Sequence, residues 1–184
     1  MKSGSRIISI TGGKIKANTE NLIIGVITKF NSIEGVLSST VSVNGDDSAE
    51  RIINMISKSR FKNEIALITL DGITLAGLNL VDINQIKDKL NIGTLAITHK
   101  EPHSDELIYA LTTFSDKYRI PVDKKINYLL SLPEYEFNTK YSVYIQSNIS
   151  KKDYSQLLKY AIDGLRLSHI ISSGITNGES KGRI

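Results

Sequence analysis

The segment Ile65–Leu70, reading IALITL, is apolar except for Thr69 and is followed at once by Asp71 and Gly72. A short, continuous apolar run bounded by turn residues suits a strand covered on both faces. Such a strand needs helices above and below it, which already directs the chain toward a layered α/β architecture. With 184 residues, 40% hydrophobic and 23% charged, residues 1–184 are expected to form one domain with its own core.

The flanking patterns extend that frame. Arg6–Ile10 reads as a strand, with a turn predicted at Thr11-Gly12-Gly13. Leu22–Phe30 is a β-branched run, and Val36–Val43 alternates in its second half, so three strands with short connections predict an antiparallel meander. After Asn44-Gly45-Asp46-Asp47-Ser48, the apolar residues Ile52, Ile53, Met55 and Ile56 take helical spacing up to Lys58. Helices are predicted over Leu80–Leu90, Ser104–Phe114 and Pro121–Leu132, and strands over Thr94–Thr98 and Tyr141–Gln146. Ser150 to Ser173 reads as helix, divisible around Gly164, and residues 177–184 read as a polar tail. The predicted order is β-β-β-α-β-α-β-α-α-β-α, a mixed sheet with helices on both faces.

Composition excludes several chemistries. The chain has no cysteine, so disulfides, cysteine–zinc sites and thiol catalysis are out. No apolar run approaches the ~18 residues of a membrane span. Met1 to Arg6 leads straight into a short apolar stretch without a signal-peptide core, so a cytoplasmic location is the expectation. The net charge of +4 permits nucleic-acid binding, but no long basic run concentrates it.

Asp71 is the position that draws attention first. Ligands of open α/β sheets bind beyond the carboxyl ends of strands, where a carboxylate can hold a divalent cation. Taken alone, Asp71-Gly72 also reads as a turn pair. Asp47 and Asp82 each open a helix and read as caps when judged singly. Thr11-Gly12-Gly13-Lys14 lacks the spacing of a phosphate loop. His99 and His103 are separated by Pro102, which breaks the helical geometry needed to place both on one metal. Lys100 follows a buried strand and could reach a phosphate. His169 lies inside the apolar helix segment LRLSHII, and no serine–histidine–carboxylate motif surrounds it.

Three segments together carry a resemblance: Gly35–Glu50 (GVLSSTVSVNGDDSAE), Ile68–Asp82 (ITLDGITLAGLNLVD) and Leu165–Arg183 (LRLSHIISSGITNGESKGR). They resemble an archaeal family of unknown function, domain-of-unknown-function family ninety-nine. That family is in turn similar to endonuclease V of the ribonuclease-H-like superfamily. The resemblance covers most of the chain. It implies a mixed sheet of three antiparallel strands followed by parallel β/α units, with helices on both faces. It also implies clustered carboxylates holding Mg²⁺ or Mn²⁺ for phosphodiester cleavage, with DNA or RNA as partner. The metal would activate water and neutralise charge developing on phosphate.

By that resemblance Asp71 matches a metal-ligand position, and Lys100 falls near the lysine of endonuclease V. His169 stands where that enzyme has an aspartate, though the archaeal family usually has histidine there. Asp47 matches an aspartate of the family's Asp-Gly-x-Asp pattern, and Asn44 replaces its first aspartate. The first strand departs most. Where endonuclease V has an essential aspartate and the family usually reads Gly-Ile-Asp-Asp, this chain has Ser9-Ile10-Thr11-Gly12-Gly13. The leading expectation is therefore an endonuclease-V-like, nucleic-acid-associated protein with a degraded metal site. One alternative is a working metal-dependent endonuclease using Asp71, Asp47, Lys100 and His169 in catalysis, with Asp71, Asp47 and Asp82 as metal ligands. Another is a non-catalytic protein-interaction scaffold.

Overall fold

The computed structural model describes residues 5–15 and 19–180. β1 (Arg6–Gly12), β2 (Glu20–Lys29) and β3 (Ser32–Ser42) form the antiparallel meander. Then come α1 (Ser48–Ser57), β4 (Ile65–Asp71), a small hairpin of β5 (Thr74–Leu75) and β6 (Asn79–Leu80), α2 (Ile83–Leu90) and β7 (Gly93–Thr98). The chain continues with α3 (Ser104–Tyr118), α4 (Asp123–Ser131), β8 (Glu136–Asn138), β9 (Val143–Ser147), α5 (Lys151–Tyr154) and α6 (Leu158–Asn177). Seven strands form the main sheet in the order β3-β2-β1-β4-β7-β9-β8. β1, β4 and β7 run parallel, while β9 returns antiparallel beside β7.

Period-two alternation sends neighbouring strand residues to opposite layers. Ile8, Ile10, Ile68 and Leu70 pack with Ile52 and Ile56 of α1 and Ile83 and Ile86 of α2. Ile7, Leu67, Leu95 and Ile97 pack on the other side with Leu158, Ala161 and Leu165 of α6. This two-sided cover explains why β4 is apolar almost throughout. The mixed sheet with helices on both faces is the architecture expected from the sequence.

Several boundaries differ for local reasons. Thr11 and Gly12 are not a turn: they extend β1, paired with Ile24 and Ile23. Leu80 is strand, not helix, because Asp82 stops the approach by capping α2, accepting from the Gln85 N–H at 2.8 Å. α4 begins at Asp123 rather than Pro121, and α3 runs on to Tyr118. The last helical stretch divides between Tyr154 and Leu158, not at Gly164. Gly164 lies inside α6, where a Cβ would sit 2.3 Å from Ser9 Oγ, so its small size lets the helix cross close over β1. The short edge strand β8 escaped the pattern. In the C-terminal tail, α6 reaches Asn177 and stops at Gly178 in the left-handed region, and residues 181–184 lie outside the described segment.

Candidate functional site

The parallel strands β1, β4 and β7 all end at one edge of the sheet, and Asp71 is the last residue of β4, opposite Ile97. Leu67, Thr69 and Asp71 alternate onto the α6 side: Leu67 packs in the α6-side cluster, and Thr69 Oγ1 donates to Ser9 Oγ at 2.8 Å. Gly72, at φ 79°, turns the chain away, and its N–H donates to the Ile97 carbonyl at 3.0 Å. Asp71 remains exposed, and among the described residues its carboxylate takes part in no hydrogen bond or ion pair. Crowding by surrounding protein nevertheless pushes its carboxyl above the ordinary carboxylate value, and the fields of His169 and His99 only partly offset this.

Those two histidines reach Asp71 from different elements. His99 lies two residues beyond Ile97, so the alternation of β7 carries it toward the same side, and it is exposed. Exposed Lys100 follows it, with its N–H donating to Thr98 Oγ1 at 3.3 Å. His169 is half-buried on α6, next to the buried Ser168, and its Nε2 lies 3.4 Å from Ser173 Oγ. Sequence reasoning had set His99 aside because it considered only a pairing with His103. The usable signal was strand alternation continued past Thr98.

Thr11 occupies the β1 position beside Asp71, since Ile10 pairs with Leu70. It is buried, and its Oγ1 lies 3.0 Å from Ser168 Oγ. Ser168 Oγ donates to the Ile24 carbonyl at 2.8 Å, so Thr11 is the donor in the first bond. A neutral hydroxyl, fully engaged with α6, thus stands where the resemblance leads one to expect a carboxylate.

Asp47 and Asp82 are on the other side of the sheet. α1 and α2, which they precede, bury their apolar faces in the layer opposite α6. Asp47 does not cap α1; it reaches back to accept from Ser42 N at 3.0 Å, Ser42 Oγ at 3.0 Å, Asn79 Nδ2 at 2.8 Å and Arg51 Nε at 3.0 Å. Burial alone would raise its pKa, but these donors outweigh it and hold the carboxyl below the ordinary value. Its parent strand β3 lies three strand steps from β4, about 14 Å at ~4.8 Å per step. Asp47 and Asp82 therefore do not join Asp71 around a shared metal. Asp71, His99 and His169 converge, but no three His, Asp or Glu side chains among the described residues are grouped closely enough to hold a metal ion.

The donor set does not fit Mg²⁺ or Mn²⁺. Hard divalent cations want several anionic or carbonyl oxygens. Around Asp71 the neighbouring groups are two imidazoles and, on β1, a hydroxyl already donating to α6. What this edge offers chemically is one exposed acceptor with two imidazoles near it. No helix among the described residues is long and apolar enough to cross a membrane.

Comparison with known proteins fits this frame. A UPF0215 protein of Methanothermobacter thermautotrophicus is 32% identical over 194 residues, covering 99% of this chain and 93% of the relative. A UPF0215 protein of Nanoarchaeum equitans is 32% identical over 193 residues, covering 98% and 92%. Among solved structures, a protein of unknown function from Archaeoglobus fulgidus superposes with a TM-score of 0.80 at 23% identity, covering 95% of this chain and 99% of that one. Human ENDOV superposes with a TM-score of 0.62 at 12% identity, covering 95% and 85%, which places the fold with endonuclease V. The pattern of the family described as endonuclease dU matches residues 3–176. With nearly its whole described length matched, the chain belongs to the endonuclease dU family.

Proposed function

We propose that this chain binds DNA or RNA along the carboxyl edge of its sheet, around Asp71, and has lost the paired carboxylates needed for metal-dependent cleavage. The observation that carries this reading is the neighbour of Asp71 on β1: Thr11, a buried hydroxyl bound to Ser168, where a second carboxylate would be required. Membership of the endonuclease dU family and the endonuclease V fold support a nucleic-acid role. Lys100, His99 and His169 would meet phosphate, while Asp71 would accept a hydrogen bond from a base or sugar.

The test is fluorescence anisotropy with single- and double-stranded oligonucleotides carrying deoxyuridine or deoxyinosine, combined with a cleavage assay in Mg²⁺ and in Mn²⁺. The expected result is binding that weakens steeply with salt, a further loss in Lys100→Ala and His169→Ala, and intact strands. Metal-dependent cleavage abolished by Asp71→Asn would overturn the reading in favour of a working endonuclease. Absence of binding at low salt would overturn it in favour of a protein-interaction scaffold.

A further inference from the structure

β3 is the outer strand of the sheet, paired with β2 along one side only. An edge strand presents unpaired N–H and C=O groups that another chain can join, so folds commonly blunt it with charge, proline or a bulge. Both ends of β3 are blunted. At its start the register shifts, leaving Glu34 as an extra residue held by Arg6. At its end Ser42 turns its backbone away from β2: its N–H donates to Asp47 Oδ1 at 3.0 Å and its carbonyl accepts from Asn79 Nδ2 at 2.8 Å. Alternation along the ladder gives Val36, Ser38 and Thr40 the same outward direction as Ser42. Among the described residues the only contact on these outward groups is a long one, from Ser39 Oγ to the Thr40 carbonyl at 3.5 Å. No charged residue or proline lies between Gly35 and Val43.

Beside this open window a groove of about 420 Å³ runs between β3 and α1. Leu37 and Val41 pack in the α1-side core, so alternation turns Leu37 and Ser39 toward α1, and Val36, Ser38 and Thr40 the other way. The groove is walled by Leu37 and Ser39 and, on α1 and its C-cap, by Arg51, Asn54, Met55 and Lys58, with no carboxylate in its lining. Lys58 is exposed, and among the described residues its ammonium has no partner. Arg51 gives Nε to Asp47 and remains exposed. On the opposite face Val36 is 47% exposed. This surface is separate from the Asp71 edge: β3 lies three strand steps from β4, and the groove is on the α1 side of the sheet.

We propose that the window Val36–Thr40 takes an extended segment of a partner protein as an added antiparallel strand, with acidic side chains facing the groove and β-branched apolar ones on the face of Val36. The backbone decides the class of partner. Outward N–H and C=O groups on every second residue match another peptide strand, and a sugar–phosphate chain does not reproduce that spacing of donors and acceptors. Charge decides the side chains. Residues opposite Leu37 and Ser39 share their face and meet Arg51 and Lys58. A second copy of this chain fits poorly. Two β3 strands paired about a two-fold axis keep their faces, so both α1 helices would lie on one side and bring Arg51 and Lys58 against their counterparts.

The probe is a fluorescein-labelled peptide, Val-Glu-Val-Glu-Val, titrated with the whole chain and read by anisotropy. Saturable binding is expected, at least about tenfold weaker when lysine replaces both glutamates. Methylating the valine nitrogens, whose N–H groups face β3, should weaken binding at least about tenfold, whereas methylating the glutamate nitrogens, which face away, should change it little. Ser38→Pro removes an outward N–H while sparing the ladder to β2, and should abolish binding. Lys58→Glu should weaken the glutamate peptide and strengthen the lysine one, which decides the matter should Ser38→Pro fail to fold. No saturable binding, equal binding of the glutamate and lysine peptides, or indifference to which nitrogens are methylated would overturn the proposal. Displacement of the bound peptide by an oligo-dT strand would overturn it in favour of a nucleic-acid groove. A concentration-dependent dimer in sedimentation, abolished by Ser38→Pro, would overturn it in favour of a second copy.

Discussion

Asp47 and Asp71 are both carboxylates at the same edge of one sheet, yet the protein treats them in opposite ways. Asp47, on the α1–α2 side, accepts from Ser42, Asn79 and Arg51 and ties the end of β3 to the hairpin before α2. Asp71, on the α6 side, has none of these donors and is crowded into a raised pKa. The first carboxylate is stabilised by the fold; the second is tolerated by it. A carboxylate that the structure does not itself satisfy is the one free to meet a ligand.

The contrast can be broken most forcefully by giving Asp71 a partner. Thr11→Asp would bury a charge beside it and sever the bond to Ser168, and we expect a loss of about 3 kcal/mol or more in urea unfolding without metal. Millimolar Mn²⁺ should restore part of that loss as a rise in Tm, with no effect on the native protein. No recovery would mean that this edge cannot build a two-carboxylate site even when supplied with one.

Asp47→Ala should cost about 2–3 kcal/mol, because it removes a charged acceptor and leaves the Ser42 N–H without its partner. A change below about 0.5 kcal/mol in the same unfolding measurement would erase the structural role assigned to Asp47. Ser168→Ala should cost about 1–2 kcal/mol, since it orphans the buried Thr11 hydroxyl. Asp71→Asn should fall within about 0.5 kcal/mol of the native protein near neutral pH.

The pH dependence sharpens the same comparison with opposite signs. Stability from Asp47 is full above its ordinary value of 3.8 and is lost as pH falls through its depressed folded value. Asp71 has a folded pKa above 3.8, so its contribution is full below 3.8 and is lost as pH rises through the folded value. Urea midpoints across that range should therefore show Asp71→Asn gaining on the native protein as pH rises, and Asp47→Asn losing ground. Parallel curves for the two variants would remove the distinction.

Much of the architecture was legible because burial leaves a strong periodic signature. The apolar stretch of β4 announced a covered central strand, and the meander before it announced antiparallel pairing. Short or marginal elements were not legible. β5, β6 and β8 span two or three residues, too few for a period to develop. Gly164 looked like a helix break in the chain and proved to be a contact point, because the reason for its size is Ser9, far away in sequence.

The candidate site divides along the same line. The sequence by itself determined that Asp71 would end a buried strand, that β1 would bring no carboxylate to it, and that the chain would resemble endonuclease V. Only the tertiary structure decided which side of the sheet each charged residue occupies. Asp47 and Asp82 went to the α1–α2 layer, while His99 and His169 came from separate elements to stand beside Asp71. The physical reason is that strand alternation and helix packing fix a side chain's direction locally, but which directions converge depends on how distant elements stack. The run IALITL placed Asp71 at the edge; the packing of α6 on the sheet and the end of β7 gave it its neighbours.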